Sequence, residues 1–259
     1  MNERSQCAVL LTRAEPADGP TLERVILAQP ELTAFEARRA LRRPSGVLLQ
    51  PLKFAVAQRL AEQLTQAGVP AEAIELSTLG VGTRPVPLRE FKATPQGLTL
   101  KHSGGVEAFA RWPEVQVLAA GRVRWSERRR TLTGVEQSLR HQDIDREDAG
   151  EPDYSYADQT RETLRIDLAL SVEPFWLSGD LESLRMPPPP PGVTMSRELR
   201  LAFALDGVAR QVPRARWNTG LAQLLERAAG QASSQRPQDV EDYVWELLWR
   251  RRLTAIGAA

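Results

Sequence analysis

The stretch Leu32–Leu76, LTAFEARRALRRPSGVLLQPLKFAVAQRLAEQLTQAGVPAEAIEL, decides the fold of the first third of the chain. Thr33 and Glu36 form a T-x-x-E capping box, in which each side chain satisfies a backbone amide of the other. Phe35, Ala37, Ala40 and Leu41 follow as apolar positions. Arg38, Arg39, Arg42 and Arg43 take the wet face and the last turn, where cations suit the helix dipole. Pro44-Ser45-Gly46 stops this helix. Val47-Leu48-Leu49 is a short apolar run between turn residues and reads as a buried strand. A second helix is expected from about Leu52 to Ala67, with Phe54, Ala57, Leu60, Ala61 and Leu64 at helical spacing. Gly68 stands at the C′ position, which favours a residue tolerating positive φ. Ala73–Leu76 reads as the next strand, and Cys7–Thr12 as the strand that opens the unit.

Working outward, Glu15-Pro16, Asp18-Gly19-Pro20 and Gln29-Pro30 punctuate a loop, with room for a two-turn helix over Thr21–Leu27. Leu79-Gly80-Val81-Gly82-Thr83 marks a boundary. It lacks the Lys-Ser/Thr of a P-loop and the third glycine of a dinucleotide fingerprint, so it reads as a hinge. Beyond it, Val86–Ala93, Leu98–His102, Val106–Arg111, Val115–Ala119 and Val123–Trp125 are strand candidates separated by Pro95-Gln96-Gly97, Gly104-Gly105 and Gly121. Residues 127–162 carry Arg128-Arg129-Arg130 and then an acidic run poor in large apolar residues, which predicts a disordered loop. Leu164–Leu170 alternates strictly and Phe175–Leu177 is a further strand. The prolines at 187–191 predict an extended linker or an SH3-type ligand. Arg197–Leu205 is helix or strand by pattern. Asn218–Ala229 reads as a helix closed by Gly230, and another is expected to start at Pro237.

Two resemblances accompany this reading. The run FEARRAL…GVLL…AQRLAEQLTQAGVPAE, within residues 6–78, resembles the C-terminal domain of the bacterial ribosomal stalk protein. Leu32-Thr33-Ala34-Phe35 stands near the place of that family's Gly-Leu-Lys-rich factor-binding turn, so the resemblance implies a fold and no function. Gln96-Gly97-Leu98-Thr99-Leu100 and Trp112-Pro113-Glu114-Val115, within residues 84–185, resemble the first strands of a bacterial pleckstrin-homology-like domain. Lipid-binding members carry basic residues in the first hairpin loop, where Lys92, Lys101 and His102 stand here. The expected fold is therefore α+β: a small N-terminal α/β sandwich over 1–79, then a β-rich, pleckstrin-homology-like barrel over 80–126 and 163–186. The loop 127–162 interrupts it, and a proline linker with C-terminal helices over 187–259 closes it.

Composition limits the chemistry. The chain has 34 basic and 33 acidic residues, a formal net charge of +1, and thus no overall attraction to nucleic acid. Cys7 is the only cysteine and reads as a small buried hydrophobe. No apolar stretch approaches the ~18–20 residues that span a bilayer, and the N-terminus lacks a signal-peptide pattern, so the cytoplasm is expected. His102 and His141 are the only imidazoles, with no nucleophile motif near either. His141, Asp143, Asp145, Glu147 and Asp148 form an oxygen-rich cluster that does not match a calcium loop. No catalytic residue, metal or cofactor is called for. Trp245 and Trp249, with Arg250, Arg251 and Arg252, offer an interaction surface; the alternative is that both rings pack on the protein's own sheet. The expected function is non-enzymatic protein–protein interaction or scaffolding with a protein partner. The alternative is a small-ligand or lipid-head-group site in the β-rich unit.

Overall fold

The computed structural model describes residues 6–14, 17–42, 46–81, 83–132, 154–186, 188, 192, 194–231 and 237–257. The N-terminal elements run β1 (Gln6–Leu11), α1 (Gly19–Leu27), α2 (Ala34–Arg42), β2 (Val47–Lys53), α3 (Phe54–Gln66) and β3 (Ala71–Glu75). They form a three-stranded sheet of order β2-β1-β3, antiparallel throughout. The capping box opens α2 as its residues require: the Thr33 amide donates to Glu36 Oε2 at 2.7 Å, and the Glu36 amide to Thr33 Oγ1 at 3.3 Å. Asp18, which reads as loop punctuation, instead caps α1 by accepting from the Thr21 amide at 3.0 Å, with a proline in the first turn. Strand β2 runs to Lys53, past the expected end, and takes in Pro51. Proline is tolerated there because β2 is an edge of its sheet.

Alternation along β1 sets the layers. Cys7 and Val9 face α1, α2 and α3 and join Ile26, Leu60 and Leu64 in one apolar core. Ala8 and Leu10 face the opposite way, into a second core shared with the rest of the chain.

The remaining strands are β4 (Val86–Thr94), β5 (Gly97–His102), β6 (Glu107–Arg111), β7 (Val115–Leu132), β8 (Tyr154–Leu170), β9 (Trp176–Asp180) and β10 (Gln238–Asp239). They build a seven-stranded sheet of order β10-β7-β8-β9-β4-β5-β6. Helices α4 (Arg197–Ala209), α5 (Thr219–Ala228) and α6 (Val240–Ala255) complete the chain. Leu118, Ile166 and Leu168 on one sheet face pack against Leu201 and Leu205 of α4 and Leu221 and Leu224 of α5. Val117, Ala119 and Ala169 on the other face pack against α6, whose far side meets β1.

The architecture is α+β as expected, but the β-rich part is an open sheet rather than a closed barrel. Strands β10 and β6 are its two ends and do not pair with each other. Helices α4 and α5 cover one apolar face, so the sheet hides that face without closing on itself. A second correction concerns the two ends of the expected loop 127–162, whose middle, 133–153, lies outside the described residues. Residues 127–132 belong to β7 and 154–162 to β8, in continuous antiparallel register from Val117↔Ala169 to Leu132↔Tyr154. Ser126, Glu127 and residues 158–162 are all exposed, so low apolar content there marks a ribbon in water rather than a lack of structure. The oxygen-rich cluster around His141 lies outside the described residues, as do most of the prolines at 187–191.

Candidate functional site

Helix α6 joins the two halves of the molecule. Tyr243, Trp245, Glu246, Leu247, Leu248, Trp249 and Leu253 are all buried on it. Such a helix is apolar most of the way round, because it has a sheet on either side. Trp245 and Trp249 are only 6% and 3% exposed, so these rings are core residues and not an accessible surface. The Trp249 indole N–H donates to the Leu11 carbonyl at 2.7 Å, which ties α6 to β1. Gly46 lies against the ring so closely that a Cβ there would fall 2.1 Å from Trp249 Cε2.

The three arginines that follow are half-buried and differ in their partners. Arg250 stacks over the Trp249 ring at 4.8 Å and stands 3.8 Å from the Glu246 carboxylate. Arg252 donates twice to Glu72 on β3, each bond 2.7 Å. Arg251 donates from Nε to Gln116 Oε1 on β7 at 3.2 Å. The pattern that foreshadows this burial is present in the chain itself. Apolar residues at 243, 247 and 248 and aromatics at 245 and 249 occupy too much of the circumference for one buried stripe.

Beneath α6 lies a buried polar cluster that sequence reasoning missed. Asp167 on β8 is 1% exposed. It accepts from Arg165 Nε at 2.8 Å and Nη2 at 3.1 Å, and from the Trp176 indole N–H at 2.8 Å. The Arg165 guanidinium in turn sits 5.8 Å from the centre of the Tyr243 ring. Glu246, fully buried, accepts from the Thr219 amide at 2.7 Å and its hydroxyl at 2.8 Å, at the start of α5. Asn218 caps the same helix through the Leu221 amide and also accepts from the Ala120 amide, each bond 3.0 Å. These acids are spent on holding elements together. An isolated Arg or Asp in an alternating strand reads as the wet face, and only the presence of α6 over that face reverses the reading.

The Tyr243 hydroxyl is buried near Asp167 without a hydrogen bond of good geometry. Burial, reinforced by the Asp167 charge, holds this phenol well above its ordinary value. A raised folded-state value means the contribution to stability is full below the unfolded tyrosine value, about pH 10, and declines above it as the unfolded chain ionises first. Tyr243→Phe is therefore expected to leave stability unchanged or raise it by about 1 kcal/mol at neutral pH, by removing an unpaired buried hydroxyl. The same substitution should remove this residue's share of the alkaline decline; urea titrations at pH 7 and at pH 10.5 check both parts.

The other sequence candidates do not assemble with these groups. His102 ends β5, and its Nδ1 is buried without a hydrogen-bond partner. Lys101, next to it, is held between Glu107 at 2.9 Å and Glu90 at 3.9 Å, so its charge is already matched. Cys7 lies inside the N-terminal core, and burial pushes its thiol up. Among the described residues no group of three or more His, Cys, Asp or Glu side chains is placed to hold a metal ion. No helix there is long and apolar enough to cross a membrane.

Backbone bonding capacity is left open along the extension of β7 and β8. Strand β10 covers the outer edge of β7 only at Val123 and Arg124. Strand β9 covers that of β8 only from Arg165 inward, with Leu181 adding a bond to the Leu164 carbonyl at 2.8 Å. From Trp125↔Arg161 to Leu132↔Tyr154 the two strands pair with each other alone among the described residues. That is a two-stranded ribbon roughly 27 Å long, at about 3.4 Å per residue. Both outer edges present backbone donors and acceptors with no strand beside them among the described residues.

Comparison of the chain with protein-family models, curated proteins and solved structures found no match.

Proposed function

We propose that the chain is a non-enzymatic, cytoplasmic protein–protein interaction or scaffold protein that acts through its ribbon. The partner is a second copy of itself, paired edge to edge along β8. The observation that carries this reading is the outer edge of β8 from Tyr154 to Thr163, which no strand covers among the described residues. Isolated two-stranded ribbons are marginal in water, and a third strand adds the missing hydrogen bonds and packing. Edges that must stay single are usually guarded by proline, lysine or inward charge. The segment YSYADQTRET has neither proline nor lysine and is rich in β-favouring Tyr and Thr.

Charge selects the edge and the register. Along β7, WSERRRTL placed antiparallel to itself with the axis through Arg128, Arg129 or Arg130 sets that arginine against its own copy. Along β8, a two-fold axis through Gln159 puts Asp158 of each copy opposite the uncharged Thr160 of the other. Arg161 and Glu162 then stand at the positions across from Ala157 and Tyr156, and no like charges are directly opposed. A shared edge of this kind is self-complementary, as a closed dimer requires.

The test is the mass of the full-length protein in solution by light scattering. Wild type is expected to dimerise with rising concentration. Thr160→Asp, which places an acid across from Asp158 of the other copy, should shift the protein to monomer. Adding Asp158→Arg to Thr160→Asp, which sets opposite charges across the edge, should restore the dimer. A wild-type protein that stays monomeric at all concentrations, or a dimer indifferent to these substitutions, contradicts the reading.

A further inference from the structure

A separate cavity lies where the hinge segment meets the end of α6. It has a volume of about 350 Å³ and is lined by Thr78, Gly80, Thr83, Gln116, Phe175 and Arg251, among others. We infer that this cavity binds a small organic carboxylate, with the anionic head on Arg251 and an apolar body toward Phe175.

Arg251 supplies the first argument. Arg252 is neutralised by Glu72, and Arg250 stands beside Glu246. Arg251 makes one hydrogen bond, from Nε to the neutral Gln116, and has no carboxylate within ion-pair distance among the described residues. Its two terminal nitrogens are thus left to the cavity, where a planar fork matches a carboxylate in bidentate fashion. Gly80, with φ of +77°, brings the chain close beneath them: a Cβ there would lie 3.7 Å from Arg251 Nη1.

The hydroxyls supply the second. Thr78 and Thr83 line the cavity as donors for a head group. Ser77, which also lines it, leans toward Glu75, its Oγ 3.5 Å from Oε2. Arg252 also lines the cavity but is paired with Glu72, so one unmatched cation with an acid nearby favours a monoanion over a phosphate dianion.

The third is the apolar lining. Phe175 lines the cavity and is 45% exposed, and Leu79, Leu248 and Ala255 add further apolar wall. Apolar side chains beside Arg251 and the threonines suit a ligand with one charged end, and the volume falls at the lower end of the range for small-molecule sites.

Calorimetric titration of the full-length protein with sodium octanoate, with 1-octanol and inorganic phosphate as comparators, tests the inference. Octanoate should bind saturably at one site, at least about tenfold more tightly than either comparator. Arg251→Gln should weaken octanoate by about tenfold or more, and Thr83→Val should weaken it less, while Arg24→Gln on α1 leaves it unchanged. The Thr83 variant keeps the test decisive should the Arg251 variant fail to fold. Absence of saturable octanoate binding, equal binding of octanol, tighter binding of phosphate, or indifference to both cavity substitutions would overturn the inference. None of these outcomes depends on whether the ribbon pairs.

Discussion

Replacing Trp249 with alanine is expected to lower the unfolding free energy by about 3–5 kcal/mol, a large share of a typical domain's roughly 5–15 kcal/mol. The ring is 3% exposed and lies in the core that α6 shares with both sheets. Its removal leaves a cavity that neither sheet can collapse into, and it also strips the Leu11 carbonyl of its indole donor. The neighbouring glycine gives the claim a sharper form. Gly46→Ala in the wild-type protein drives a methyl into the Trp249 ring and should cost about 1–3 kcal/mol. In the Trp249→Ala background the same methyl enters vacated space and should cost little or nothing. Urea titrations of the four proteins measure that coupling. Additive effects would mean that Gly46 and Trp249 do not meet.

Asp167→Ala is the second large effect. It leaves the Arg165 guanidinium without its carboxylate under α6 and the Trp176 indole without its acceptor. Breaking one partner of a buried ion pair commonly costs about 3–5 kcal/mol, because the remaining charge is stranded. Removing both charges together, as Arg165→Met with Asp167→Leu, should cost at least about 2 kcal/mol less than Asp167→Ala alone. A double variant as unstable as the single one would show that the pair contributes through its own attraction rather than by compensating its burial.

Structure is legible in the chain wherever local signals decide it. The T-x-x-E box, the apolar spacing of Phe54 to Leu64 and Gly68, which adopts a φ of +86°, are short-range features with short-range consequences. Helix α5 and its Asn218 cap are legible for the same reason. Legibility ends where the answer depends on what lies across from a residue. Arg165 and Asp167 alternate as a wet face should, and become interior only because α6 returns from far along the chain to cover them. Trp245 and Trp249 look like an exposed pair until β1 is placed on their far side. The ribbon is hidden for the converse reason: its pairing is a backbone property, and Arg128-Arg129-Arg130 carries no apolar alternation to betray a strand. The cavity brings Leu79, Gly80 and Thr83 together with Arg251 and Arg252, from two segments each marked by its own pattern; nothing local says that they meet.

Hydrogen exchange along β8 addresses the ribbon's role most directly. The amides of Tyr154–Thr163 that point away from β7 lack a strand acceptor in a single copy, whereas those pointing toward β7 are bonded within the ribbon. If two copies pair through this edge, the outward amides should exchange slowly in concentrated protein and rapidly on dilution, while the inward ones change far less. Outward amides that exchange rapidly at every concentration, in protein whose sheet interior remains protected, would contradict the proposal.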